Sequence, residues 1–280
     1  MRVSAESGWL GHMELTRLRT CLEDDYRLLH ATISKADPAA RVPPCPDWTV
    51  TDLADHVAEV YRHKTACIQL GVEPDPWPVQ DDNADPDLDS TSTSDPAPDP
   101  IAALDQAYTG LLAQFDAHQP DDHAGSWYEP GQSVAFWIRR MAQETVIHRV
   151  DAELAAGPAP TAIPEDLAVD GIDEILNVFV AYSSVAWLDD FASLLTTPDQ
   201  RPLVLAAGDH AWSVMATKAG VLVEQIPAGT TPEATGATVT GTAQNLLLWL
   251  WNRADDTVVS LSGDPGLLTQ FHGLRVIATQ

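Results

Sequence analysis

The sequence predicts an α+β fold of two domains, a four-helix bundle at residues 1–158 and a smaller domain of helices and strands at residues 159–280. Up to Gly157, apolar residues recur at helical spacing in four segments, and four helices joined by short or polar connections are typical of a bundle. After Pro164, short runs of β-branched and apolar residues alternate with turn residues, which indicates a sheet combined with helices.

Composition restricts the class of partner. The chain has 280 residues, of which 45% are hydrophobic, enough to form two cores. Its net charge of −26 opposes binding to nucleic acid or to anionic membranes. We find neither an apolar run that could span a bilayer nor the apolar core of a signal peptide. We therefore expect a cytoplasmic monomer or homodimer that acts on small molecules.

The helices of the first domain have recognisable ends. A capping box formed by Thr49 and Asp52 opens the second helix, and Asp99 followed by Pro100 opens the third. The stretch before the second helix is predicted to be a loop, and residues 72–100 to be a mobile loop rich in aspartate and proline. The predicted helices span about Glu14–Ile33, Thr49–Gly71, a third after Asp99, and Ser133–Gly157.

The second domain is predicted to begin with a helical segment from about Pro164 to Leu195. A strongly apolar helix, Thr242–Arg253, carries Trp249 and Trp251, which we expect in the core. Cysteines play no part in this prediction: the three are far apart without a C-x-x-C pair, and we expect reduced structural thiols. The predicted strands are Leu203–Ala206, Trp212–Thr217, Val221–Ile226, Ala237–Thr240 and Thr257–Leu261.

The fourth helix carries two ionisable residues on its inward face. Glu144 and His148 are four residues apart and share a stripe with Trp137 and Met141. Burying a carboxylate and an imidazole is costly unless they are paired or bind a metal ion. The spacing alone is a weak motif, because surface helices use the same pair for an ordinary hydrogen bond.

The second helix places His56 on its inward face, together with Leu53, Val57 and Val60. A lone histidine there is most simply a core residue bonded to a carbonyl group. Considered with Glu144 and His148, however, it completes a set of two imidazoles and one carboxylate, which suits zinc with an open position or another divalent ion. Because facing helices of a bundle can supply such ligands, we predict a metal site at His56, Glu144 and His148.

Three stretches carry a family resemblance: Val42-Pro-Pro-Cys-Pro-Asp-Trp-Thr-Val-Thr-Asp-Leu-Ala-Asp-His56, Glu144-Thr-Val-Ile-His-Arg-Val-Asp151, and Leu246-Leu-Leu-Trp-Leu-Trp-Asn-Arg253 with Ser262-Gly-Asp264. Together they resemble the mycothiol-dependent maleylpyruvate isomerase family. The resemblance implies a DinB-like metal-binding bundle, a sterol-carrier-like second domain and an actinobacterial source. It also implies zinc held by His56, Glu144 and His148, with mycothiol as the cosubstrate.

The implied enzyme is a mycothiol-dependent, metal-containing transferase or isomerase. A metal-bound thiolate would attack a small electrophile, without a protein nucleophile. Asp52 and Asp151 are candidates to hydrogen-bond the ligands, although Asp52 could instead serve the helix cap and Asp151 could be a solvated charge. Arg140 and Arg149 are the candidates to bind substrate.

Three alternatives stay open on the sequence. No lysine or arginine lies between Lys64 and Arg139, so a neutral electrophile fits at least as well as a dicarboxylate. His63, which lies between Arg62 and Lys64, is expected to be an exposed edge residue. The chain could also be a non-catalytic module that binds metal or an apolar ligand and acts as a sensor or partner. A zinc hydrolase is less well supported, because only Asp52 or Asp55 could act as its base.

Overall fold

The computed structural model describes residues 13–76, 99–157, 159–195, 201–227 and 235–279. Most of the acidic loop predicted at 72–100 therefore lies outside the described residues. The chain divides into two compact units, whose main segments are Leu15–Thr161 and Ala162–Gln280; the sequence analysis placed the division at residue 158. The α+β class is confirmed, with a helical first unit and a sheet in the second.

Four long helices form the first unit, as predicted. Thr49 and Asp52 make the predicted capping box, and Asp99 caps a helix that has Pro100 in its first turn. Gly71 and Gly157 end their helices with positive φ values of 67° and 96°, a conformation that glycine adopts without strain. The helices are α1 (Leu15–Ile33), α2 (Val50–Leu70), α3 (Pro100–Ala117) and α4 (Val134–Ala156).

A small β-hairpin replaces part of the predicted loop before α2. Strands β1 (Arg41–Val42) and β2 (Cys45–Thr49) pair antiparallel, and the guanidinium of Arg41 donates to the carbonyl of Asp47 at 3.0 Å. Prolines crowd the turn, and no alternation of apolar residues marks such short strands. The hairpin runs directly into the N-cap of α2, so it fixes the position of Trp48 relative to that helix.

Helix α4 is the most buried element of the chain's first unit. It packs against α1 and α2, and every residue from Val134 to Glu153 is buried except Glu144, which is half-buried. Residue spacing predicts one inward stripe on this helix, but the helix is enclosed on nearly every face. Its polar residues therefore need partners on several sides, and those partners determine their roles.

The second unit contains the strands β3 (Leu203–Ala207), β4 (His210–Thr217), β5 (Gly220–Ile226), β6 (Ala237–Gly241) and β7 (Ser260–Gly263). They form a five-stranded sheet in the order β5-β4-β3-β6-β7. Strands β3 and β6 are parallel, and the other neighbours are antiparallel. Both Trp249 and Trp251 are buried, as expected.

The helices of the second unit differ from the prediction in two places. The segment predicted as continuous from Pro164 to Leu195 contains a π-helix, Ile175–Tyr182, and breaks at Trp187. A C-terminal helix was missed, although Asp264 as N-cap followed by Pro265 is a clear start signal. The helices are α5 (Glu165–Glu174), α6 (Ser183–Ala186), α7 (Leu188–Leu195), α8 (Ala243–Leu250) and α9 (Pro265–Ala278).

Two further features bear on the expectations from sequence. Across the described ranges, no single helix is long and apolar enough to cross a membrane, whereas the bent pair Glu165–Ala186 and Leu188–Leu195 passes the same test of length and composition. The three cysteines are free thiols; Cys21 and Cys67 are buried and Cys45 is half-buried.

Candidate metal centre

Side chains of α2 and α4 meet at Glu144, the half-buried residue in the middle of α4. His56 Nε2 lies 3.6 Å from Glu144 Oε1, and His148 Nε2 lies 3.1 Å from the same oxygen. One ligand atom from each of the three residues lies within 4.8 Å of the others. The structure therefore brings the three predicted metal ligands together from two helices.

The two oxygens of Glu144 have different partners. Oε2 forms an ion pair with Arg140, one turn earlier on α4, while Oε1 faces both imidazoles. Arg140 is buried, and its contact holds the carboxylate in one orientation. Glu144 is thus arranged to offer a single oxygen to an ion between the histidines.

His148 is oriented by Asp151, which is fully buried. The distance from His148 Nδ1 to Asp151 Oδ2 is 3.0 Å, so Nδ1 donates to the carboxylate and Nε2 is directed to Glu144. A carboxylate on the remote nitrogen of a ligating histidine fixes the tautomer and makes the other nitrogen a stronger ligand. Of the two interpretations predicted for Asp151, this geometry favours the ligand-orienting role over a solvated charge.

The electrostatics of the site favour positive charge. Burial alone would lower the pKa of His148, but the carboxylates of Glu144 and Asp151 outweigh burial and raise that pKa to about 9. Burial would raise the pKa of Glu144, but Arg140 and His148 outweigh it and hold that pKa well below its usual value. A divalent cation bound here would therefore contact an ionised carboxylate. The raised pKa of His148 indicates that the site favours positive charge.

Trp48 forms an aromatic wall beside the two histidines. Its ring centroid lies 4.6 Å from that of His56 and 6.2 Å from that of His148. The sequence does not predict this role of Trp48, because its contact with the histidines depends on the β1–β2 hairpin. The indole covers one side of the site with apolar surface.

The donor set fits a borderline divalent ion such as zinc. Two imidazole nitrogens and one carboxylate oxygen are a common zinc set with an open position. The side chain of His56 is 30% exposed, whereas those of Glu144 and His148 are 13% and 9% exposed. An exogenous ligand would thus reach the site from the His56 side.

Asp52 does not take part in the site, contrary to one of the two interpretations offered from sequence. Its carboxylate accepts from the backbone N–H and the hydroxyl of Thr49, both at 2.7 Å, and the residue is exposed. These bonds lower the pKa of Asp52. Asp52 caps α2 because a carboxylate in the first turn lies closest to the unsatisfied N–H groups at the start of its own helix.

The structure places Arg149, which was predicted to bind substrate, in a buried group of ion pairs. Its side chain is fully buried, with Nε 2.7 Å from Asp25 Oδ1 of α1 and an amino nitrogen 2.6 Å from Glu153 Oε2. It also donates to the carbonyl of Thr161 at 3.0 Å. Next to His148 in sequence, Arg149 points about 100° away around the helix, so it joins α1 to α4.

The prediction that His63 is exposed is also wrong. His63 and its neighbour Lys64 are both buried in the first unit. Lys64 lies over the ring of Trp137, with Nζ 4.8 Å from the centroid. The flanking charges in the sequence suggested a solvated face, but the long apolar stem of lysine packs in the interior.

Comparisons with known proteins agree with this architecture. Residues 20–153 match the model of the mycothiol maleylpyruvate isomerase N-terminal domain, and residues 166–270 match that of the MDMPI C-terminal domain. A comparison with curated protein sequences finds no match.

Solved structures share the fold. The crystal structure of the mycothiol-dependent maleylpyruvate isomerase has a TM-score of 0.54 and 15% identity, covering 90% of this chain and 95% of that chain. A histidine-to-alanine mutant of the isomerase gives the same values. At this identity the likeness shows the fold alone, whereas the two domain models cover most of the sequence. The chain belongs to the mycothiol maleylpyruvate isomerase family.

Proposed function

We propose that the protein is a zinc-dependent, mycothiol-dependent enzyme that joins a small-molecule thiol to a small electrophile, as a thiol S-transferase or as an isomerase of the maleylpyruvate isomerase type. The observation that carries the proposal is the convergence of His56, Glu144 and His148 at a partly exposed position in a chain of this family. The implied source, with mycothiol as the cellular thiol, is an actinobacterial cytoplasm.

Each residue of the site has a separate proposed role. His56, Glu144 and His148 would hold the metal ion, with zinc as the proposed occupant. When bound, such an ion lowers the pKa of a coordinated thiol and keeps it nucleophilic at neutral pH. Asp151 holds the His148 ring, Arg140 holds the Glu144 carboxylate, and Trp48 shields one side from water.

Metal content and thiol binding test this proposal together. We expect about one equivalent of zinc per chain by elemental analysis, and binding of mycothiol by calorimetry that disappears in the metal-free protein. His148→Ala should lose both. His30→Ala is the matched control, because His30 of α1 faces Asp105 with its Nε2 3.3 Å from Oδ2 and has no place in the site. Metal without thiol binding would contradict the proposal and favour a metal-binding module.

Product analysis separates the two reactions. With maleylpyruvate as electrophile, an isomer formed without consumption of mycothiol identifies an isomerase. An adduct that retains the thiol identifies a transferase. Neither product, from protein that binds both zinc and the thiol, would mean that this electrophile is not a substrate.

A further inference from the structure

A second charged group lies along the same two helices as the metal centre. Lys64 is eight residues after His56 on α2, an axial rise of about 12 Å. It is buried, and its ammonium lies over Trp137, which is two turns before Glu144 on α4. Since His56 meets Glu144 while Lys64 meets Trp137, α2 and α4 run antiparallel, and Lys64 lies further along the interface between them.

Lys64 is electrostatically coupled to the metal centre. Burial is the largest influence on the pKa of Lys64 and lowers it to about 8. Cys67, Glu144 and Glu73 raise that pKa and Arg140 lowers it, so charges of the metal centre act on the Lys64 ammonium. The ammonium of Lys64 remains mostly protonated at pH 7, whereas the charge of Arg140 is paired with Glu144.

His63 fixes the orientation of the ammonium. Lys64 Nζ donates to His63 Nδ1 at 2.7 Å, and His63 Nε2 lies 3.4 Å from the carbonyl of Pro74. Burial and Lys64 lower the pKa of His63 to about 4, so the ring is neutral and accepts at Nδ1. Lys64 is therefore held by a hydrogen-bonded ring rather than by a flexible contact.

The backbone beyond α2 supports this arrangement. The N–H of Gly125 donates to the carbonyl of Cys67 at 3.1 Å, and a side chain at Gly125 would collide with Val72, whose carbonyl carbon would lie 2.1 Å from its Cβ. This close packing positions the segment that carries Pro74. The segment that carries Pro74 is thus closely packed against the rest of the first unit.

We propose that Lys64, positioned by His63, is a specificity-determining residue that selects electrophiles carrying a carboxylate group. The inference rests on the proposed function, since the electrophile would react at the site of His56, Glu144 and His148. A buried ammonium attracts a carboxylate more strongly than an exposed one, because little water screens the pair. This proposal replaces the neutral electrophile expected from the sequence. The segment between Lys64 and Arg139 lacks lysine and arginine, but the fold brings the two ends of that segment together.

Calorimetry with a matched pair of ligands tests Lys64. Maleate and maleamide have the same carbon skeleton and differ in charge. At pH 7, we expect wild-type protein loaded with zinc to bind maleate more tightly than maleamide. Lys64→Met should raise the Kd for maleate at least tenfold and leave that for maleamide unchanged, while Lys64→Arg should stay near wild type. His63→Leu should weaken maleate binding, and His63→Gln, which keeps an acceptor, should restore it.

The outcomes separate this inference from the proposed function. Zinc content and mycothiol binding are measured on every variant, and the maleate titration is repeated on metal-free protein. A maleate preference that depends on Lys64 supports the inference even if zinc or thiol binding fails. The inference is overturned if wild-type protein does not prefer maleate, or if folded Lys64→Met binds it as tightly as wild type does.

Discussion

His148 Nδ1 donates to Asp151 Oδ2 across 3.0 Å, and this bond directs the opposite nitrogen of the ring to Glu144 Oε1. Both residues belong to α4, three positions apart, so the helix itself sets their geometry. A buried carboxylate in this position makes the imidazole a better metal ligand.

Asp151→Asn should weaken zinc binding by about 10–100-fold. A neutral amide stabilises positive charge on the His148 ring less than a carboxylate does, so Nε2 becomes a weaker ligand. Competition with a chromophoric chelator measures the affinity. Asp116→Asn is the control, since Asp116 is an exposed residue paired with Arg19. Equal zinc affinity of the Asp151 variant and the wild type would show that Asp151 does not tune the ligand.

Arg149→Met should lower the free energy of unfolding by about 3–5 kcal/mol, because it leaves Asp25 and Glu153 buried without their cation. Urea denaturation measures the change. Arg27→Met, which removes an exposed pair with Asp24, should cost less than about 1 kcal/mol. If Arg149→Met were as stable as wild type but bound substrate weakly, Arg149 would belong to the binding site after all.

Asp25 should make stability depend on pH between about 4 and 6. Burial raises its pKa to about 6, although Arg149 opposes the shift, and the ordinary value is 3.8. The folded protein therefore binds more protons than the unfolded chain in this window, so the contribution of Asp25 to stability falls as pH rises and is constant above it. The difference in unfolding free energy between wild type and Asp25→Asn should change in that direction. A difference independent of pH would contradict the raised pKa.

Trp48 should report metal binding by fluorescence. Its indole lies beside His56 and His148, and a paramagnetic ion such as Co²⁺ bound there should quench it. We expect a saturable partial loss of emission, because the chain has nine tryptophans. Trp48→Phe should lose this step while still binding one equivalent of Co²⁺. Quenching of the same size in that variant would place the ion away from Trp48.

Gly125→Ala should destabilise the first unit by about 1–3 kcal/mol or more, because its Cβ would collide with the backbone of Val72. Thermal unfolding measures the effect. Gly110→Ala is the matched control: a side chain there has no neighbour within 4 Å, and the change lies inside α3. It should stabilise the helix by about 0.5–1 kcal/mol. Equal stability of the two variants would show that the segment at Val72 adapts.

Local signals in the sequence predicted much of the structure. Capping at Thr49 and Asp99 and the glycine at position 157 set helix ends through bonds within a few residues, so these ends could be predicted. His56, Glu144 and His148 were identified because burying ionisable groups on two inward faces is costly without a shared partner. The same kind of capping signal, Asp264 followed by a proline, marks the start of α9, which was not predicted.

Only the tertiary structure decided what each remaining polar residue contacts. Asp52 and Asp151 are both acidic neighbours of a ligand, yet one caps α2 and the other orients His148. Arg140 and Arg149 lie on one helix, yet the first holds Glu144 and the second joins α1 to α4. Sequence spacing gives the angle of a residue around its helix. Because α4 is buried on nearly every side, the partner at each angle is set by the helix packed there.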